Sequence, residues 1–324
     1  MKRIVSSTLC LLIFYCIFSV PAFADKFRVN NTGLVVDFTS AQQAVESSMV
    51  HHGDTLFFES STFSYGNITL TKRLTLVGPG YFIGQNTETQ ANIAPAILEN
   101  VNFNEGSQGS LMTGMTVNSW ITVSDTGIIL TRNNLSSLNI SNTGYESYIG
   151  QNFIYQMGVY SAHSVIITNN VFTRNSPCWG GYCLYIDSYS NATVTNNIFC
   201  GCQIINNGIY RNNIATGTPS GSNDGFSSTN CTITNNIGAS TQYGSSNGNQ
   251  QNIDMATVFV NTGSEDGKYQ LLPDSPAAGA GFEGVDCGIF GNSSPYVLSG
   301  MPNLPSVWSI YIDGSSATVK AKSH

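Results

Sequence analysis

Three short stretches return to one theme: "TNNVF" at Thr168–Phe172, "TNNIF" at Thr195–Phe199 and "TNNIG" at Thr234–Gly238. Aligned on the second asparagine or its nearest match, the series is Asn134, Asn152, Asn170, Asn197, Asn213 and Asn236, at intervals of 18, 18, 27, 16 and 23 residues. A fixed feature returning at such spacing marks a solenoid, in which each coil buries its apolar face only by stacking on the next. The following position is always apolar: Leu135, Phe153, Val171, Ile198, Ile214 and Ile237. Three residues before the marker stand Thr131, Ile149, Ile167, Val194, Tyr210 and Ile233, mostly apolar as well. This alternation predicts short strands with a buried face. Asparagine tolerates left-handed backbone, and its amide can bond the coil above. The pair therefore marks a repeated corner, where stacked amides form a ladder and Val171 and Ile198 point inside.

Composition agrees with a packed β-protein. Hydrophobic residues make up 41% of the chain and charged residues only 10%, with a net charge of -7. Phosphate binding needs clustered Lys and Arg, so nucleic acid is excluded as an expected partner. Met1–Ala24 has the layout of a secretory signal peptide: Lys2 and Arg3, an apolar Leu9–Val20, and Ala22-Phe23-Ala24 at the cleavage site. The apolar run is too short to span a bilayer. The mature chain is expected to carry no transmembrane segment and to be secreted, periplasmic or held at the cell surface. Its expected divisions are an N-terminal cap at 25–54, coils at 55–260 and a closing segment at 261–324.

Two long stretches carry a resemblance. "SAQQAVESSMVHHGDTLFFESSTFSYGNITLTKRLTLVGPGYFIGQ" at Ser40–Gln85 looks like a capping helix and first coils, with Ala41, Ala44, Val45 and Met49 as the helix's apolar face. "YQLLPDSPAAGAGFEGVDCGIFGNSSPYVLSGMPNLPSVWSIYI" at Tyr269–Ile312 looks like a closing segment. Together with the repeat, they resemble right-handed parallel β-helix proteins of the pectate-lyase-like superfamily, especially secreted Bacteroidetes members. The resemblance implies an all-β, single-stranded right-handed parallel β-helix solenoid with an N-terminal capping helix. It does not supply a function, because that fold hosts lyases, hydrolases, epimerases and adhesins alike.

Six cysteines follow the leader: Cys178, Cys183, Cys200, Cys202, Cys231 and Cys287. Cys183 and Cys202 occupy equivalent positions one coil apart and either bridge or stack as small hydrophobes; Cys178 with Cys200 is another pair. Basic residues of the coils are few. Arg132 and Arg211 share one outward column with Thr168, Thr195 and Thr234, where solvent exposure is expected. His51, His52 and Asp54 sit at the cap turn, an unfavourable place for a metal.

"TRNSPCWGGYCLYID" at Thr173–Asp187 is the candidate site, because the repeat interval lengthens there to 27 residues and a loop must leave the barrel. Trp179, Tyr182 and Tyr185 offer rings to sugar faces, while Arg174 and Asp187 offer charges to hydroxyls or an acid group. A second excursion, Ala215–Asn230, contains Asp224. The expected partner is a polysaccharide or surface glycan. No cofactor is expected, with calcium entering only if the chain is a lyase. The alternative function is a polysaccharide lyase or other carbohydrate-active enzyme on an acidic polysaccharide.

Overall fold

The computed structural model describes residues 24–175, 181–217 and 226–322. The expected leader, Cys178, Trp179 and Asp224 lie outside them. The chain is mostly β, a parallel solenoid of about nine turns with almost no helix. Sheet A stacks ten strands from Lys26–Val29 to Thr232–Thr234, and sheet B contains thirteen. One coil shows the plan. Val165–Thr168 lies in sheet A, a corner follows, Val171–Phe172 and Leu184–Ile186 lie in sheet B, and Ala192–Thr195 then stacks on Val165–Thr168.

The helix Ala41–Glu46 buries Ala41, Ala44 and Val45. Gln42 accepts a hydrogen bond from the Thr69 amide at 2.8 Å, so the helix covers a strand that would otherwise present an open edge. Met49 does not join this face. The helix ends at Glu46, Val50 takes the inward position, and Met49 is exposed.

The asparagine ladder is present, with its first rung shifted by one residue. Asn133, not Asn134, stacks with Asn152, Asn170, Asn197, Asn213 and Asn236, and Asn249 adds a rung beyond the last pair. Each amide donates to the next asparagine at 2.9–3.1 Å. The same oxygens accept the preceding asparagine's backbone N–H, at 2.9 Å for Asn152 to Asn170 and for Asn170 to Asn197. A second bond from each rung goes back to a sheet A carbonyl, as from Asn170 to Ile149. The side-chain amides of the ladder, buried inside the barrel, thus find partners for donor and acceptor alike.

The residue before each rung has positive φ: Arg132, Gln151, Asn169, Asn196, Asn212 and Asn235 all fall between 54° and 59°. Their side chains leave the barrel and hold residues 280–301, which run back along the outside as a strap. Asn235 donates to the Ala280 carbonyl, Asn212 accepts from the Phe282 amide, and Asn196 donates to the Asp286 carbonyl. Asn169 holds Ile289 and Gly291, Gln151 holds Ser294 and Pro295, and Arg132 holds Met301. One corner residue per coil grips the strap. The pair therefore has two duties, one asparagine facing outward to the strap and the next facing inward to the ladder.

This arrangement corrects two expectations. Strand alternation sends Phe172 and Phe199 into the main core, and sends Val171 and Ile198 the other way. Those two are fully buried, but in a second cluster with Ile214, Ile237, Cys287 and Ile289 beneath the strap. Gly288 makes this close approach feasible: a Cβ there would stand 2.8 Å from Ile214. Arg132 and Arg211 are also neither in one column nor solvated. Arg211 shares its register with Thr195 and Thr234, while Arg132 is a corner residue. The Arg211 guanidinium lies 4.3 Å from the Phe282 ring centroid, and burial lowers the Arg132 pKa below the usual arginine value.

At the first coils the strap is clipped by a buried cluster. Tyr81 and Tyr296 bring their hydroxyls to 2.6 Å, and burial pushes both phenols well above their ordinary pKa. Asp266 accepts from Asn86, Ser264 and the Ser299 amide beside them. Beyond the clip, Ser306–Asp313 and Ser316–Lys322 form an antiparallel hairpin. Trp308 sits there beneath the Lys320 ammonium, 5.1 Å from it, rather than anchoring the strap as its apolar character suggests.

Candidate functional site

The outer face of sheet B presents two columns of side chains at strand spacing. Trp120, Ser137 and Gln156 form one; Thr122, Asn139, Gly158 and Tyr185 form the other. From these columns Trp120, Gln156, Asn139, Gly158 and Tyr185, with Tyr160, Arg174 and Tyr182, line a cleft of about 220 Å³. The Tyr182 and Tyr185 rings stack at 5.3 Å with 28° between planes, and Tyr160 lies 5.7 Å from Tyr185. Gly158 lets the Tyr160 ring lie across the sheet, since a Cβ there would stand 2.5 Å from it. The result is a tyrosine platform beside a half-exposed indole (Trp120, 47%).

Arg174 is the formally charged side chain among the described residues lining this cleft. Its guanidinium donates to Gln156 and lies 5.7 Å from the Tyr155 ring centroid. It also rests against the backbone of Gly181, whose φ of +115° and missing Cβ leave that space open.

Arg174, Tyr182 and Tyr185 are thus brought together as the sequence suggests. Asp187 is not among the cleft's lining residues. Its carboxylate accepts from the Ser161 and Tyr189 amides and the Ser190 hydroxyl, closing the turn into the next coil. Burial raises its pKa, but the bonds from Ser190, Ser161 and Tyr189 outweigh that and leave it below the usual value. Those bonds occupy both carboxylate oxygens, a structural role. Trp179 lies outside the described residues.

Trp120, Asn139, Gln156 and Tyr160 were not legible as site residues. Trp120 falls in Thr116–Val123, where one extra residue against the next strand lies between Val117 and Trp120 and sets Trp120 opposite Ser137. Such a bulge re-aims a side chain. The aligned register of three coils, rather than the pattern of one strand, was the signal that would have found it.

The remaining candidates are structural. Asp54 accepts from the Asp25 and His51 amides at 2.7 Å each, and His52 accepts from the Arg73 amide. No group of three His, Cys, Asp or Glu side chains suited to a metal occurs among the described residues. Cys183 and Cys202 do stack in register, but Cys183 and Cys200 are free thiols. Cys202 is disulfide-bonded, and because Cys183 and Cys200 are free neither expected pairing forms. Among the described residues, no helix is long and apolar enough to cross a membrane. No protein-family model, curated protein or solved structure matches the chain.

Proposed function

We propose that this protein is an exported β-helix of the pectate-lyase-like kind that binds glycans through the tyrosine platform on sheet B. The stacked Tyr182 and Tyr185 rings, continued by Tyr160 and flanked by Trp120, carry this reading. Sugar rings present apolar C–H faces that pack on such surfaces, and hydroxyls at their edges meet Asn139 and Gln156. The Arg174 guanidinium adds bidentate recognition of a carboxylate, which favours acidic glycans. A lyase would also need a base in the cleft. Burial, Tyr185 and Asp187 all raise the Tyr160 pKa, which works against that phenol in the role.

Titration with acidic oligosaccharides tests the proposal. Tyr185→Ala and Trp120→Ala should weaken binding about tenfold or more, the loss of one good stacking contact. Arg174→Ala should matter more for acidic than for neutral sugars. Unchanged affinity in all three variants would remove this cleft as the site. Absorbance of unsaturated products from uronate polysaccharides, measured with and without calcium, checks the lyase alternative.

A further inference from the structure

A second concave surface lies on the other sheet. Sheet A turns one outward column, Phe57, Val77, Thr113 and Thr131, toward the end of the strap. Two cavities lie along this column, one on Phe57 and Val77 and the other on Thr113 and Thr131. One, of about 520 Å³, is walled by Met301, Pro302, Leu304 and Pro305. The other, of about 300 Å³, is walled by Ser294 and Asn303 and includes Leu111 and Tyr148. Because the floor residues are consecutive in register, the two cavities follow one another along the solenoid axis as two segments of a channel, with no lining residue in common. From Phe57 to the coil of Tyr148 it spans four coil steps, roughly 19 Å.

The lining is chemically distinct from the sheet B cleft. Amides and hydroxyls recur along it (Asn30, Gln90, Asn92, Thr113, Thr131, Asn303), with Phe57 and Tyr148 supplying aromatic faces. Its charges are internally engaged. Glu59 accepts from Arg28 and Asn30, and Arg132 donates to Gln151 and Met301. An ionic ligand would find no uncommitted counter-charge among these groups. An extended peptide adding as a strand would need an open backbone edge, whereas the floor strands are paired on both sides.

We infer that this channel is a second binding site, for a neutral linear polysaccharide lying along the solenoid axis. It is independent of the sheet B cleft. Coil-spaced hydroxyls and amides bond successive sugar hydroxyls, while Phe57 and Tyr148 pack against ring faces.

Calorimetric titration of the full protein with cellohexaose, xylohexaose, mannohexaose and chitohexaose provides the test, with hexagalacturonate as the acidic probe. At least one neutral probe should bind saturably. Asn303→Trp, which adds bulk at an exposed strap position, and Tyr148→Ala should each weaken it about tenfold or more. Thermal melts identify any variant that has lost its fold, and Asn303→Trp removes no buried contact. No saturable binding by any of the four neutral probes would overturn the inference. So would full affinity in both channel variants. Hexagalacturonate results bear only on the sheet B cleft.

Discussion

Val171 and Phe172 are neighbours in sequence, both are fully buried, and they belong to different cores. Phe172 packs on Phe199 inside the barrel, ring centroids 4.8 Å apart, through a partner supplied by the repeat itself. Val171 is covered by the strap, whose Cys287 and Ile289 come from more than a hundred residues later. Strand alternation accounts for burial in both directions. The column Val171, Ile198, Ile214 and Ile237 repeats as well, but its cover does not, so only the inner core can be assigned from a short stretch of chain.

Removing the strap should be the most damaging test of this difference. A chain ending at Gly279 would uncover Val171, Ile198, Ile214 and Ile237, each worth about 1.5–3 kcal/mol when fully buried. Aggregation, or a species that binds a hydrophobic dye, is expected on size-exclusion chromatography. A monomer with the parental melting temperature would show that the second core is dispensable.

The next largest effect should come from the ladder. Asn170→Ala strands the Asn152 amide groups and the Ile149 carbonyl, each left unpaired at about 1–3 kcal/mol. A loss of at least about 3 kcal/mol is expected from urea denaturation. Asn169→Gly, one position earlier, keeps the left-handed corner and removes the bonds to Ile289 and Gly291. It should cost about 1–2 kcal/mol, with faster amide exchange confined to the strap. Equal losses for the two variants would erase the proposed division of labour within the pair.

The smallest effect should belong to Asp187. Its folded pKa is lowered, so its contribution is present above the unfolded value and is lost as pH falls through the folded one. Stability should therefore dip slightly below about pH 4 in the parent, a component missing from Asp187→Asn. Identical acid profiles would show that the turn does not depend on the charge.

The ladder was legible because it is periodic, and its single misplaced rung has a clear cause. In Thr131-Arg132-Asn133-Asn134-Leu135 the left-handed position is filled by arginine, so aligning on the later asparagine shifts the coil by one. The strap's residues read as a closing segment, but their path was not legible, because the grips are side-chain bonds to backbone groups and leave no pattern in the strap sequence. At the candidate site, the loop aromatics stood out by composition. Asp187 was misjudged because a carboxylate facing a ligand and one closing a turn look alike without coordinates. The sheet B columns needed the register, bulge included, before Trp120 could be placed in the same cleft as Tyr185.

The strap also changes how such a molecule should come apart. A stack of repeats is normally coupled only between neighbours, so its ends can fray while the middle stays folded. Here one covalently continuous segment touches coils from Asn235 to Arg132 and is fastened again at Tyr81. Opening a terminal coil therefore loosens a strap shared with distant coils, and opening the strap exposes all of them together. Long-range coupling of this kind converts a one-dimensional array into a single cooperative unit.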